Sequence, residues 1–289
     1  MAETFGTIAG ALSVAALFNN CVNCFELVQL GRSFGRDYEL CRIKVDITKA
    51  RLSRWGTAID INNDARFTST SPTEVPVLQA RIILQEVELL LQSAETASKR
   101  YEASASAEDL VWLEEANMQP AILQVHKHIT TITQERHKRT SLLKKTTWAL
   151  YDAKNLDRLI GNAKDLVDAL EDLWPAKTTR RQLVDTEIEA VKNPASLLAI
   201  RDAAIGIDSM MADCANRKYS SIAVTNRANA VNTQENARVK VGNYASEEAL
   251  GRLSLISDTT SNTADSITST GSSVVQIGNS YGGQAPHER

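Results

Sequence analysis

From Asp37 to Trp55 the residues Tyr38, Cys41, Val45, Thr48, Leu52 and Trp55 recur at spacings of three and four, which sets them on one face of an amphipathic helix. The same spacing runs through Val77, Ala80, Leu84, Val87, Leu91, Ala94, Ser98 and Tyr101. Pro72 and Pro76 precede that run and mark a loop, since proline is tolerated at helix starts and breaks helix interiors. A further helix is predicted after Pro120, with Ile122, Val125, Ile129 and Ile132 on one side. Another spans Asp152 to Trp174, turns Leu156, Leu159, Ala163, Leu166, Leu170 and Leu173 inward, and stops at Pro175. A shorter pair carries Leu183, Ile188 and Val191, then Leu197, Ile200, Ala204, Ile207 and Met211. No alternating strand pattern competes before residue 217, so this part is expected to be an all-α bundle.

Beyond residue 217 the pattern changes period. Asn226 to Ser246 (NRANAVNTQENARVKVGNYAS) aligns with Asn262 to Gly282 (NTADSITSTGSSVVQIGNSYG) at an offset of 36 residues. Asn226 meets Asn262, Ala228 meets Ala264, Val231 meets Ile267 and Val239 meets Val275. Val241 meets Ile277, Gly242 meets Gly278 and Asn243 meets Asn279. Both copies alternate apolar and polar residues, the signature of a strand. No proline lies between Pro194 and Pro286 to interrupt a backbone ladder. The two glycines are candidates for bends that a Cβ would hinder.

Two repeats make a poor solenoid alone, because each unit needs neighbours to cover its apolar face. Ordering some forty residues costs roughly 1–2 kcal/mol each in backbone entropy. Burying about ten small side chains returns at most roughly 1.5–3 kcal/mol apiece. A single chain is therefore expected to leave residues 218–289 disordered, and stacking of many chains to order them as a two-rung β-solenoid amyloid.

Composition sharpens the boundary without moving it. All four tryptophans and all five phenylalanines precede residue 175. The net charge of −3 and 23% charged residues imply no nucleic-acid partner. Cys21, Cys24, Cys41 and Cys214 fall in no secreted spacing, and no cleavable signal is evident, so a reduced cytoplasmic setting is the expectation. Cys21 and Cys24 lack the second pair or nearby histidine that a metal site needs, and are expected simply to pack. His126 and His128 are expected to be solvated. Arg136, Lys138, Arg139, Lys144 and Lys145 form a basic run near Trp148, read as a wet helix face or a contact for anionic lipid. No phosphate loop, nucleophile motif or carboxylate constellation appears, so neither enzyme activity, cofactor nor metal is expected.

Between Glu3 and Glu26 lie 22 residues without a charge, long enough to cross a bilayer of about 30 Å as a helix. Gly6 and Gly10 form a GxxxG spacing, which lets membrane helices approach closely. Ala15, Leu17 and Phe18 supply apolar bulk, whereas Asn19, Asn20 and Asn23 need partners inside lipid. In the resting protein the segment is expected to be a buried helix of the bundle, with a membrane helix as the alternative that its length and lack of charge leave open. Arg32, Arg36, Arg42 and Lys44 would keep its C-terminal flank cytoplasmic.

The N-terminal FGTIAGALSVAALFNNCVNCFELVQLGRSFGRDYE, the KARLSRWG helix, the segment KKTTWALYD and the two repeats closely resemble the fungal HET-s/HET-S heterokaryon-incompatibility proteins over essentially the whole chain. The resemblance implies a HeLo domain over residues 1–222, with 4–25 as a conditional membrane segment, and a prion-forming domain over 218–289. It implies a non-enzymatic cell-death function, in which amyloid templating of the tail unmasks the N-terminal helix to damage the plasma membrane. It implies as partners other copies of the chain, related HET-s/HET-S-type proteins, membrane lipids after triggering, and a nucleotide-dependent receptor with a similar repeat. Some members cannot execute membrane damage and propagate only as prions, and the region of Asn23 and Ser33 is where the resemblance places that choice. The chain departs from the family where opposite charges are paired between rungs. Here Asn229 faces Asp265, Gln234 faces Thr270 and Asn236 faces Ser272, so no matched pair is oppositely charged. The end GGQAPHER also lacks the family's aromatic pair.

Overall fold

The structure is a computed structural model that describes residues 12–31, 34, 37–106, 108, 110–112, 115–137, 147–223, 225–242, 244–245, 261–278 and 280–281. The chain divides into two compact units, Met1–Ala215 and Asn216–Arg289. Gly6, Gly10, Ser33, Asn243 and Asn279, together with residues 138–146 of the basic run, lie outside the described residues.

The first unit is helical and built around one central helix. Its elements run α1 (Val14–Glu26), β1 (Val28–Leu30), α2 (Tyr38–Ala58), α3 (Ala65–Thr68), α4 (Val75–Glu102), α5 (Pro120–Arg136), β2 (Trp148–Leu150), α6 (Ala153–Leu173), α7 (Lys177–Glu189) and α8 (Pro194–Ala204), and α9 (Ser209–Ala223) begins in this unit and runs past its last residue. Local chemistry sets several of these boundaries. Ser13 Oγ accepts from Ala16 N at 3.2 Å, Asp152 Oδ1 from Asn155 N at 2.8 Å, and Asn193 Oδ1 from Ala195 N at 2.9 Å, each satisfying an orphan donor at a helix start. Pro76, Pro120 and Pro194 stand in first turns, where no amide hydrogen is missed. Pro76 thus opens α4 and does not belong to the loop before it.

The predicted stripes are buried on α4, at Val77, Ala80, Leu84, Val87, Leu91 and Ser98. On α6 the buried set includes Val167 where the spacing favoured Leu166. The reading of α2 as one-faced needs correction. This helix packs against α1, α5, α6, α7 and α8, so it is enclosed nearly all round. It therefore buries Arg42, Asp46, Lys49 and Arg54 as well as Val45, Leu52 and Trp55.

Those charges persist inside because they are paired. Arg54 donates to Glu187 at 2.7 and 3.1 Å and to Asp208 at 2.6 Å, all three within 5% exposure. Burial opposes the charge of Arg54, yet Asp208 and Glu187 hold its guanidinium above the ordinary range. Asp208 is pressed upward by burial but pulled below the usual carboxylate range by Arg54. Arg51 reaches Asp168 and Glu171 on α6 and the Ile207 carbonyl, while Arg136 pairs with Glu187. Such a network is costly to break from one side, because the partner is left as a buried unpaired charge.

The expectation of a purely helical first unit also needs correction. β1 and β2 pair in parallel, Val28 with Trp148 and Leu30 with Leu150. Three residues are too short to display an alternating period, and all of β2 is buried, so no polar positions betray it.

The second unit contains β3 (Thr225–Thr233), β4 (Arg238–Val241), β5 (Tyr244–Ala245), β6 (Ser261–Ser269), β7 (Val274–Ile277) and β8 (Ser280–Tyr281). They form three two-stranded parallel sheets, β3 with β6, β4 with β7 and β5 with β8.

Candidate functional site

Every strand pair of the second unit keeps one register, with residue 225 opposite 261, 238 opposite 274 and 244 opposite 280. Asn226–Asn262, Ala228–Ala264, Val231–Ile267, Val239–Val275 and Val241–Ile277 are all direct partners. The two rungs are also joined at their corners, by Thr270 N to Thr233 O at 2.9 Å, Val274 N to Ala237 O at 2.8 Å and Gly278 N to Val241 O at 2.9 Å.

The glycine pair is required by close approach. Gly242 has φ of 137°, and a Cβ there would lie 2.5 Å from the Gly278 carbonyl oxygen. An equivalent pair that the repeat comparison did not single out sits at the first corner. Gly271, at φ of 76°, lies beneath Glu235, at φ of 58°. The matched positions share a left-handed backbone but only one is glycine, so residue identity concealed the shared bend.

The charge reading is corrected in one respect. Matched positions carry no opposite charges, but Arg227 Nη2 reaches Asp265 Oδ2 diagonally at 3.2 Å. Diagonal neighbours across a ladder lie within reach of long side chains, and comparison of equal positions does not see them. The pair is more than half exposed on both sides, which limits its worth to about 0–1 kcal/mol.

The second rung leaves aliphatic surface open. Val231 is 7% exposed whereas its partner Ile267 is 48% exposed, and Val274 is 44% exposed. Each strand has a partner on one side only among the described residues, so both rungs present an unpaired edge.

In the first unit, the described part of the uncharged segment is α1. Val14, Ala15, Leu17, Phe18, Cys21, Val22, Cys24 and Phe25 are all buried. Phe18 sits edge-on to Trp55, with ring centroids 6.3 Å apart, and against Gly56, where a Cβ would come within 2.4 Å of the ring. The polar residues of the segment are matched from outside it. Asn19 Nδ2 donates to Asn62 Oδ1 at 2.7 Å, and Asn23 Oδ1 faces His137 Nε2 at 2.9 Å. Cys21 Sγ donates to the Leu84 carbonyl at 3.3 Å. Beyond the helix, the Val28 carbonyl accepts from Arg42 Nη1 at 2.6 Å, and β1 is bound to β2. No described helix is long and apolar enough to cross a membrane.

The expectation of solvated histidines is corrected for His126, which is buried, while His128 is half-buried. His126 is buried against Asp46, Nδ1 to Oδ2 at 2.6 Å, and His128 Nε2 meets the Glu187 carbonyl at 2.8 Å. Burial presses Asp46 upward, but Arg42 and His126 hold it below the usual carboxylate range. Spacing on α5 could not reveal partners supplied by α2 and α7.

A helical bundle and an in-register parallel repeat define a two-part protein. The comparisons with known proteins agree. The HeLo family, described as "Prion-inhibition and propagation", matches residues 6–200, and the Het-s 218-289 family matches residues 218–282. Heterokaryon incompatibility protein s of Podospora anserina is 48% identical over 98% of both chains, and protein S of the same fungus 46% over the same shares. Among solved structures, the HET-S N-terminal domain matches at a TM-score of 0.72 with 48% identity, covering 74% of this chain and 96% of that one. A doubly substituted HET-s N-terminal domain matches at 0.69 with 49% identity, covering 71% and 98%. The chain belongs to the HET-s/HET-S family of heterokaryon-incompatibility proteins, with a HeLo domain and a HET-s-type repeat.

Proposed function

We propose that this chain executes cell death when amyloid templating of its repeat, within residues 218–289, releases α1 of the HeLo domain into a membrane. The observation that carries the reading is the 36-residue parallel register, which leaves Ile267 and Val274 uncovered and both rung edges unpaired. A further copy placed in the same register would cover those side chains and continue the ladder. Copies of the chain and related HET-s/HET-S-type proteins are therefore the natural partners, and a receptor bearing a similar repeat would serve as the first template.

The burial of α1 supports the second half of the reading. Moving Val14, Leu17, Phe18, Val22 and Phe25 from the core into water would cost roughly 1.5–3 kcal/mol each. Moving them into a bilayer avoids that cost, so a membrane is the acceptor that makes release feasible. Gly6, Gly10 and the remainder of residues 4–25 extend the segment to spanning length. The role is non-enzymatic. The protein is cytoplasmic at rest, fibrillar when templated and at the plasma membrane when triggered, with the region of Asn23 and Ser33 deciding whether damage follows.

Dye-loaded liposomes mixed with the full chain test this directly. Leakage is expected only when fibrils of residues 218–289 are added. Fibrils that seed the chain without leakage would assign it to the non-executing prion form. Absence of seeding would refute the proposal.

A further inference from the structure

The charges of the repeat are divided unequally between its rungs. Residues 225–245 carry Arg227, Arg238 and Lys240 against one acid, Glu235, whereas residues 261–281 carry Asp265 alone. Within one chain Arg227 lies opposite Thr263, two residues before Asp265 on the same face of the ladder. Its Nη2 nevertheless reaches Asp265 Oδ2 at 3.2 Å, so an arginine side chain spans this diagonal. The two side chains stay 66% and 53% exposed, which leaves each room for a second partner. Arg238 and Lys240 stand opposite Val274 and Gln276, which carry no charge. Asp265 is therefore the one charge that this stretch of the second rung offers to a neighbour.

Given the templated stacking of the proposed function, we infer that Asp265 on the unpaired edge of the second rung docks Arg227 of an incoming copy. The repeat thereby selects its partner by the charges at positions 227 and 265. Continuing the register sets the next first rung one strand spacing, about 4.8 Å, beyond the second. The incoming Arg227 then stands at the same lateral offset from Asp265 that the chain's own Arg227 already spans. Each carboxylate comes to lie between two guanidinium groups and each guanidinium between two carboxylates, in an alternating column. Like charges recur only every second strand, about 9.5 Å apart, with an opposite charge between them. An isolated exposed pair is worth little, but several charges joined in a network are the arrangement in which such pairs count. Complementary charges across an interface also speed docking and suppress partners of the wrong sign.

Exchanging the two charges, Arg227→Asp together with Asp265→Arg, keeps the pair inside each chain but sets like charges against a parental neighbour on either edge. Growth of the full chain on sonicated fibrils, followed by thioflavin fluorescence, reads the consequence. Parental and exchanged chains are each expected to grow on their own fibrils. Growth of either on the other's fibrils should be about tenfold slower at about 0.01 M salt, where an attraction has become a repulsion. The gap should close to about twofold at about 1 M salt, as the screening length falls from about 30 Å to about 3 Å. The nearly isosteric Asp265→Asn should grow on parental fibrils about threefold more slowly than the parent at the lower salt. Equal growth within and across the two kinds at low salt overturns the inference and leaves templating standing. If the exchanged chain forms no fibrils, a parental growth rate for Asp265→Asn overturns it instead. Failure of the parental chain to grow on its own fibrils refutes the templating reading itself, and this inference with it.

Discussion

The glycine pair at the second corner of the repeat allows the stacking of separate chains to be tested apart from the folding of one. Replacing Gly242 by alanine sets a Cβ 2.5 Å from the Gly278 carbonyl oxygen within the same chain, at a φ of 137°. A residue forced into a glycine-only backbone region costs about 1–3 kcal/mol before any overlap is counted. Gly278, at φ of 123°, has similar backbone demands, but a Cβ there meets Asn262 Nδ2 at a comfortable 3.9 Å. In a single chain Gly278→Ala is therefore the milder change. In a stack that continues the same register, Gly278 lies above the Gly242 of the next chain and suffers the same overlap. Taking about 3 kcal/mol per chain, both variants should raise the concentration of unpolymerised chain left at the fibrillation plateau roughly a hundredfold, since each 1.4 kcal/mol is tenfold. Sedimentation followed by measurement of the supernatant reads that quantity. If Gly278→Ala leaves the supernatant at the parental level while Gly242→Ala raises it, the contact between chains does not repeat the contact within them.

Three further outcomes are expected. Ala16→Glu, at a half-buried position of α1, should abolish fibril-triggered leakage while sparing both the fold and seeding, because a carboxylate at mid-membrane costs a few kcal/mol. Circular dichroism and dye release check it, and undiminished leakage from the folded variant would remove α1 from the mechanism. Arg54→Met should destabilise the HeLo domain by about 3–5 kcal/mol, read by urea denaturation, since buried Asp208 loses its ion-pair partner and Glu187 keeps only Arg136. Asp46 and Asp208 are both held below the ordinary range in the folded state, so their contribution is complete above the unfolded value of about 3.9 and is lost as pH falls through the folded values. The Tm of the helical unit should accordingly hold from neutral pH to about 5 and drop below about 4.

Most of the helical framework was legible because α4, α5 and α6 each turn one stripe to the core, and a stripe is what period 3.6 records. The central helix α2 was legible only in extent. Its charges face partners from other helices, such as Glu187 for Arg54 and His126 for Asp46, and nothing local to 38–58 announces them. The same limit misplaced His126 in solvent and hid the contact of the half-buried His128 with the Glu187 carbonyl. The repeat was legible almost residue by residue, because a parallel ladder pairs equal positions and therefore writes its register into the sequence. What escaped was the part that is not equal-to-equal, namely the diagonal Arg227–Asp265 pair and the Glu235–Gly271 corner. Burial of Ala15 at 6% exposure also makes it a poor place for a charge, which the uncharged run alone could not tell from the half-buried Ala16.

The two rungs are alike in path but not in surface, and this gives any polymer built from them a direction. A contact between the second rung of one chain and the first rung of the next joins two different patches, so it is heterologous and cannot close on itself as a twofold dimer does. One tip of the filament then ends in the Val231 layer and the other in the Ile267 layer. The two tips differ chemically, as do the plus and minus ends of a cytoskeletal filament. They should elongate at different rates, and a ligand that caps one would leave the other free to grow.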